Sequence, residues 1–152
     1  MVHAFGEPDS VLSRGDVSHV STVYRYERGP ADVTAEGGWL PSEAWPFTMR
    51  LRVRFERAIA VFDLADDPQL RVYRDDGVVE TPSVTAGDGW QAEIQEMVRA
   101  VAASKAGREA ESPATMASAV LTTRVLEAEA KSLRTGQETP VDTGRVTQRG
   151  VR

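Results

Sequence analysis

Five groups of residues carry the types and spacings that could do chemistry. Gly87, Asp88, Gly89, Trp90, Gln91 and Ala92 spell GxGxxA where a strand gives way to a helix, the spacing with which a dinucleotide site cradles a pyrophosphate. That cradle needs a βαβ unit. Here the helix is followed by a second helix and bulky Trp90 opens an apolar stripe, so a capped helix accounts for the same residues. His3 and His19 are the two imidazoles. Neither has a Ser or Asp partner at a catalytic spacing, and each reads as a structural histidine. Asp63, Asp66 and Asp67, like Asp75 and Asp76, could ligate a hard cation, but they lack EF-hand spacing and sit where turns need them. Arg145, Arg149 and Arg152 make a basic, solvated tail. Arg50, Arg52 and Arg54 are the remaining group. Three like charges on one strand face repel unless acids or a partner answer them, so this row is the candidate interface, with Glu36 and Glu56 as candidate answers. A plain solvated face and an anion site are the alternatives.

These groups are positioned by strands first and helices second. VSHVSTVYRY (17–26) puts Val20, Thr22, Tyr24 and Tyr26 on one face and His19, Ser21, Val23 and Arg25 on the other. ADVTAEGGWL (31–40) is a weaker strand in which Gly37 and Gly38 imply a bulge or a close backbone approach. In FTMRLRVRFE (47–56), Phe47, Met49, Leu51, Val53 and Phe55 alternate with Thr48, Arg50, Arg52, Arg54 and Glu56. That is the period of a half-buried antiparallel strand with one apolar and one cationic face. Strands at 58–64, 69–75 and 78–84 complete a meander.

After Gly87 the period becomes helical. Trp90, Ile94, Met97, Val98 and Val101 form a stripe on a helix over 89–104, capped by Asp88. If Trp90 is core, its truncation to alanine costs about 3–5 kcal/mol. Ser112 and Pro113 open a second helix, with Met116, Val120, Thr123, Leu126, Ala130 and Leu133 as its apolar stripe and Gly136 as its stop. Strands followed by two helices imply an α+β fold: an open, mostly antiparallel sheet with two C-terminal helices packed on one face. The helices are expected to cover the sheet face of Leu51 and Val53.

The whole chain has 152 residues, 41% hydrophobic and 27% charged, which suits one domain over 1–141 and a flexible tail over 142–152. A net charge of −5 argues against nucleic acid as a partner. The lack of a long apolar run argues against a membrane. Zero cysteines exclude disulfides, zinc clusters and thiol nucleophiles, and fit the cytoplasm.

The order of several phrases resembles one family. FGEPDSV (5–11), GGWLPSEAWPFTMRLRV (37–53), WQAEIQEMVRAV (90–101) and SPATMASAVLTTRVLEAEAKSLRTGQETPV (112–141) look like the C-terminal domain of the glucose-fructose oxidoreductase / inositol dehydrogenase / MocA (Gfo/Idh/MocA) family. The resemblance implies an open antiparallel sheet that contributes to a substrate pocket and to oligomer contacts, beside an N-terminal Rossmann domain that binds NAD(P). The family's Gly-rich loop, its Glu-Lys-Pro segment with the catalytic lysine and its Asp and His motif have no counterpart here. No catalytic, cofactor-binding or metal residue is therefore carried over. The resemblance implies the substrate-side and oligomerisation domain of such an enzyme, not competent alone, with a homo-oligomer or a Rossmann domain as partner. A stand-alone interaction module built on the same domain is the alternative.

Overall fold

In a computed structural model, residues 2–31, 33–39, 42–83, 89–108 and 114–142 are described. The chain is α+β, with open antiparallel sheets, and it forms two compact units: Met1–Pro41 with Gly107–Arg152, and Ser42–Ala106.

The first unit holds the short helix α1 (Val2–Phe5), strands β1 (Ser10–Gly15), β2 (His19–Arg25) and β3 (Val33–Gly38), and, from the second segment, helix α3 (Met116–Thr135) and strand β8 (Thr139–Pro140). Its sheet runs β3-β2-β1-β8. The alternation in β2 appears as expected: Thr22 and Tyr24 are buried while His19, Ser21 and Arg25 are exposed. Their register partners Ser13, Val11, Ala35 and Val33 continue the inner face. Val11, Tyr24 and Val33 form the core with Val125, Ala128 and Val141. Hydroxyls line the same face: Ser13 Oγ lies 2.8 Å from Thr22 Oγ1, and Ser13 N–H donates to Ser132 Oγ at 2.9 Å. The Tyr24 hydroxyl donates to Glu129 at 2.7 Å. Burial, reinforced by that carboxylate, pushes the Tyr24 phenol well above its ordinary range.

Helix α3 corrects the expected stripe. Its buried residues are Val125, Ala128 and Ser132, whereas Met116, Val120 and Leu126 are exposed. The helix carries two stripes at helical spacing, and the sheet takes the one with small residues, which let β1 come close and supply the Ser132 hydroxyl. The start also lies later than expected. Thr115 is the N-cap, accepting from Ser118 N–H at 3.1 Å; Ser112 and Pro113 lie outside the described residues. Gly136 ends the helix at φ +66°, its N–H bonded to the Ser132 carbonyl at 2.8 Å, as its sequence position implied. Beyond it, β8 pairs Val11 with Thr139, an edge strand that the sequence reading missed because a proline sits in it.

The hairpin between β1 and β2 is held by Asp16, whose carboxylate accepts from Ser18 N–H at 2.7 Å and His19 N–H at 3.1 Å. Those bonds, Ser18 first, lower the Asp16 carboxyl below its ordinary 3.8. A lowered folded-state value means that the stabilisation is complete above pH 3.8 and fades as pH falls through the lower folded value. Asp16→Asn is therefore expected to flatten the acid limb of the stability–pH curve below pH 3.8, measured by urea unfolding between pH 2 and 6. An unchanged acid limb counts against the turn.

The second unit holds β4 (Arg50–Arg54), β5 (Ala58–Asp63), β6 (Leu70–Arg74), β7 (Val79–Glu80) and helix α2 (Gly89–Lys105). Its sheet is a meander ordered β4-β5-β6-β7. Register sets Leu51, Phe62 and Leu70 in one row and Val53, Ala60 and Val72 in the next, which makes the apolar face. The strand expected at 78–84 is confined to Val79–Glu80.

Helix α2 has the expected extent but buries none of its residues. Trp90 is 78% exposed, and Ile94, Met97, Val98 and Val101 are exposed with it. Leu51 is half-exposed too, so the seat expected for the stripe is not taken. The helical period shows which residues share a face, while burial depends on what meets that face. Trp90→Ala in this chain should therefore change stability by no more than about 0.5 kcal/mol, checked by urea denaturation; a loss near 3 kcal/mol would mean the stripe is covered in solution. Among the described residues, no helix is long and apolar enough to cross a membrane.

Candidate functional site

β4 begins where the alternating run FTMRLRVRFE leaves an irregular approach, and its pairing with β5 is fixed from Arg50↔Asp63 to Arg54↔Ile59. Residues directly opposite in an antiparallel pair share a face. The cationic face thus carries Arg50, Arg52 and Arg54 on β4, Ile59, Val61 and Asp63 on β5, and Arg71 and Tyr73 on β6. All three β4 arginines are exposed.

The charges of this face are answered unevenly. Arg50 Nε lies 2.7 Å from Asp63 Oδ2, with the arginine side chain 71% exposed and the aspartate 18%. Arg71 Nη1 lies 2.6 Å from Asp66 Oδ2, and that bond raises the Arg71 guanidinium pKa further. Arg52 and Arg54 have no acidic partner among the described residues. Arg52 lies across from Val61, which in turn faces Arg71, so two guanidinium groups flank one apolar side chain.

The acids expected to answer the row do not. Glu36 is on β3, 2.8 Å from His19 Nε2, and no ion pair holds Glu56 among the described residues. Asp63 takes that role through a register that sequence order alone does not reveal. Arg71 was missed for the same reason: only pairing through β5 brings it to the face of Arg52.

The other sequence candidates are placed as follows. His3 lies on α1, exposed, and His19 is bonded to Glu36 at the edge of the first sheet. Two of the turn aspartates make bonds within their turns: Asp63 accepts from Ala65 N–H at 3.0 Å and Asp76 accepts from Val78 N–H at 3.1 Å. Asp75 instead accepts from Arg57 at 2.8 Å, an ion pair that ties the turn after β6 to the turn between β4 and β5. Gly87 and Asp88, with the cap assigned to Asp88, lie outside the described residues, as do Arg145, Arg149 and Arg152. Gly89 and Trp90 open α2 after strands that all pair antiparallel. A parallel βαβ crossover is what would aim a helix N-terminus at a nicotinamide dinucleotide's phosphates, and this meander does not make one.

Gly38 shows the close approach expected of the glycine pair. A Cβ there would stand 2.7 Å from the Ser18 carbonyl oxygen, while the same atom on Gly37 would meet nothing within 4 Å. Trp39 N–H donates to that Ser18 carbonyl at 2.7 Å.

The sequence matches no protein-family profile. It matches no curated protein. Among solved structures it is similar to a Klebsiella pneumoniae protein provisionally described as an oxidoreductase, with a TM-score of 0.65 and 17% sequence identity. The match covers 93% of this chain and 46% of that one. At that identity the likeness establishes a shared fold. The chain spans about half the length of the structure it matches.

Proposed function

We propose that this chain, over residues 1–141, is the substrate-side and oligomerisation domain of an NAD(P)-dependent oxidoreductase of the Gfo/Idh/MocA type, acting with a Rossmann domain that holds the nicotinamide. The observation that carries this reading is the fold match, which takes in nearly the whole of this chain and under half of a protein described as an oxidoreductase. The phrases from FGEPDSV to SLRTGQETPV, in family order, support it. A hydride transferase needs its cofactor held and a proton handled, and this reading assigns both to the Rossmann domain. The unburied α2 stripe supports the oligomerisation part, since exposed apolar surface of this kind marks contact sites.

The test is the native mass in the host, read with an antibody against residues 1–152. A species larger by about 100–200 residues, one Rossmann-sized domain, or tight co-purification with a nicotinamide-binding chain, is expected. A free 16.6 kDa species without such a companion would overturn the reading, as would dehydrogenase turnover by the chain alone.

The alternative is a stand-alone interaction module on the same domain. It draws on the unanswered charges of Arg52 and Arg54, and the 16.6 kDa outcome would favour it.

A further inference from the structure

β4 is an edge strand among the described residues, and the direction of its backbone groups decides what that edge offers. The order β4-β5-β6-β7 leaves one side of β4 without a paired strand among the described residues. Leu64 N–H donates to the Met49 carbonyl at 3.0 Å, and Phe55 N–H donates to the Ala58 carbonyl at 2.8 Å. Main-chain groups of successive residues in an antiparallel ladder point to alternate sides. Met49, Leu51, Val53 and Phe55 therefore turn theirs toward β5. Arg50, Arg52 and Arg54 turn their N–H and C=O groups to the open side, and the same three residues carry the guanidinium row.

We propose that the open edge of β4 binds an extended acidic segment of a partner protein by strand addition, with alternate carboxylates lying opposite Arg52 and Arg54. Main-chain bonds give such a complex its affinity and the alternate side chains give it specificity. A residue hydrogen-bonded to Arg52 across the new edge places its side chain on the face of Arg52, beside a guanidinium that no acid of the described chain occupies. Opposite charges directly across a ladder stabilise it and like charges destabilise it.

The same geometry rejects a second copy. Only Arg50, Arg52 and Arg54 face outward, so every hydrogen-bonded antiparallel pairing of two β4 edges sets arginine opposite arginine. Charged edges are a known defence against self-pairing. The inference uses only β4 and its neighbours, and holds whether the sheet serves an oxidoreductase or a free-standing module. Failure of the mass test above would leave it untouched.

The experiment uses the isotope-labelled full chain and a capped heptapeptide alternating threonine and glutamate. Two control peptides replace glutamate by lysine, or carry N-methyl groups on the glutamate amides, the latter keeping the charge but removing the N–H donors that would face Arg52 and Arg54. The glutamate–threonine peptide is expected to bind and to slow amide exchange at Arg52 and Arg54, while Leu51 and Val53, already bonded to β5, are unchanged. Arg52→Glu and, separately, Arg54→Glu should each weaken binding at least tenfold and improve binding of the lysine peptide. Both sites are exposed, so the variants should fold, which circular dichroism checks. Equal binding of the N-methylated peptide would show an anionic patch contact only and overturn strand addition. Absence of binding at millimolar peptide would overturn it, and so would concentration-dependent protection of Arg52 without peptide, which means a second copy occupies the edge.

Discussion

Gly15→Ala is expected to destabilise the chain by about 3 kcal/mol, a large share of the 5–15 kcal/mol that holds a domain of this size together. Gly15 ends β1 at φ +112°, where an L side chain is strained by about 1–3 kcal/mol. A Cβ at this position would also stand 2.0 Å from the His19 carbonyl oxygen and 3.1 Å from its carbon. Backbone, not a flexible side-chain tip, would have to move. That carbonyl accepts the Asp16 N–H at 2.9 Å, so opening the turn weakens this bond and the two that Asp16 makes to Ser18 and His19, each contributing about 0.5–1.5 kcal/mol. In thermal unfolding the loss reads as a fall of about 6–12 °C. Gly37→Ala is the control, since a Cβ there meets nothing within 4 Å, and should stay within about 0.5 kcal/mol. If both variants melt with the parent, the close approach of Gly15 to His19 does not exist in solution.

Ser132→Ala should cost about 2–4 kcal/mol, more than an exposed serine could. Its side chain is fully buried. The hydroxyl accepts from Ser13 N–H at 2.9 Å and donates to the Gln137 carbonyl at 2.6 Å. One oxygen thus joins β1, α3 and the turn after the helix. Truncation leaves a donor and an acceptor unsatisfied, each at about 1–3 kcal/mol, with some relief where the turn relaxes toward water. Thr135→Ala, on the same helix but exposed, with a hydroxyl that donates to the Lys131 carbonyl at 3.0 Å and accepts from the exposed Gln137 N–H at 3.3 Å, should move the urea midpoint little, since water can replace both bonds. Equal midpoints for the two variants would mean that the helix end is not held through Ser132.

Much of the candidate site was visible in the residues themselves. The alternation from Phe47 to Glu56 assigns Arg50, Arg52 and Arg54 to one side of a strand because side chains on extended backbone point to opposite faces in turn. It does not reveal that β4 lies at an edge, which depends on the pairing of residues far along the chain. The acids near enough in composition to answer the row were Glu36 and Glu56, yet Asp63 meets Arg50 because the hairpin register brings position 63 across from position 50.

Local physics is legible without a fold. The class of the chain, the strand alternations in β2 and β4, the extent of α2 and the stop at Gly136 each rest on conformational preferences of neighbouring residues. Tertiary structure alone decided which stripe of α3 is buried, that α2 keeps Trp90 exposed, that β8 joins β1, and that the strands divide between two sheets. Helical periodicity marks the residues that share a face. It carries no information about the surface that face will meet, and a stripe of Val125, Ala128 and Ser132 wins over a more apolar one when the opposing strand offers close backbone and a hydroxyl partner.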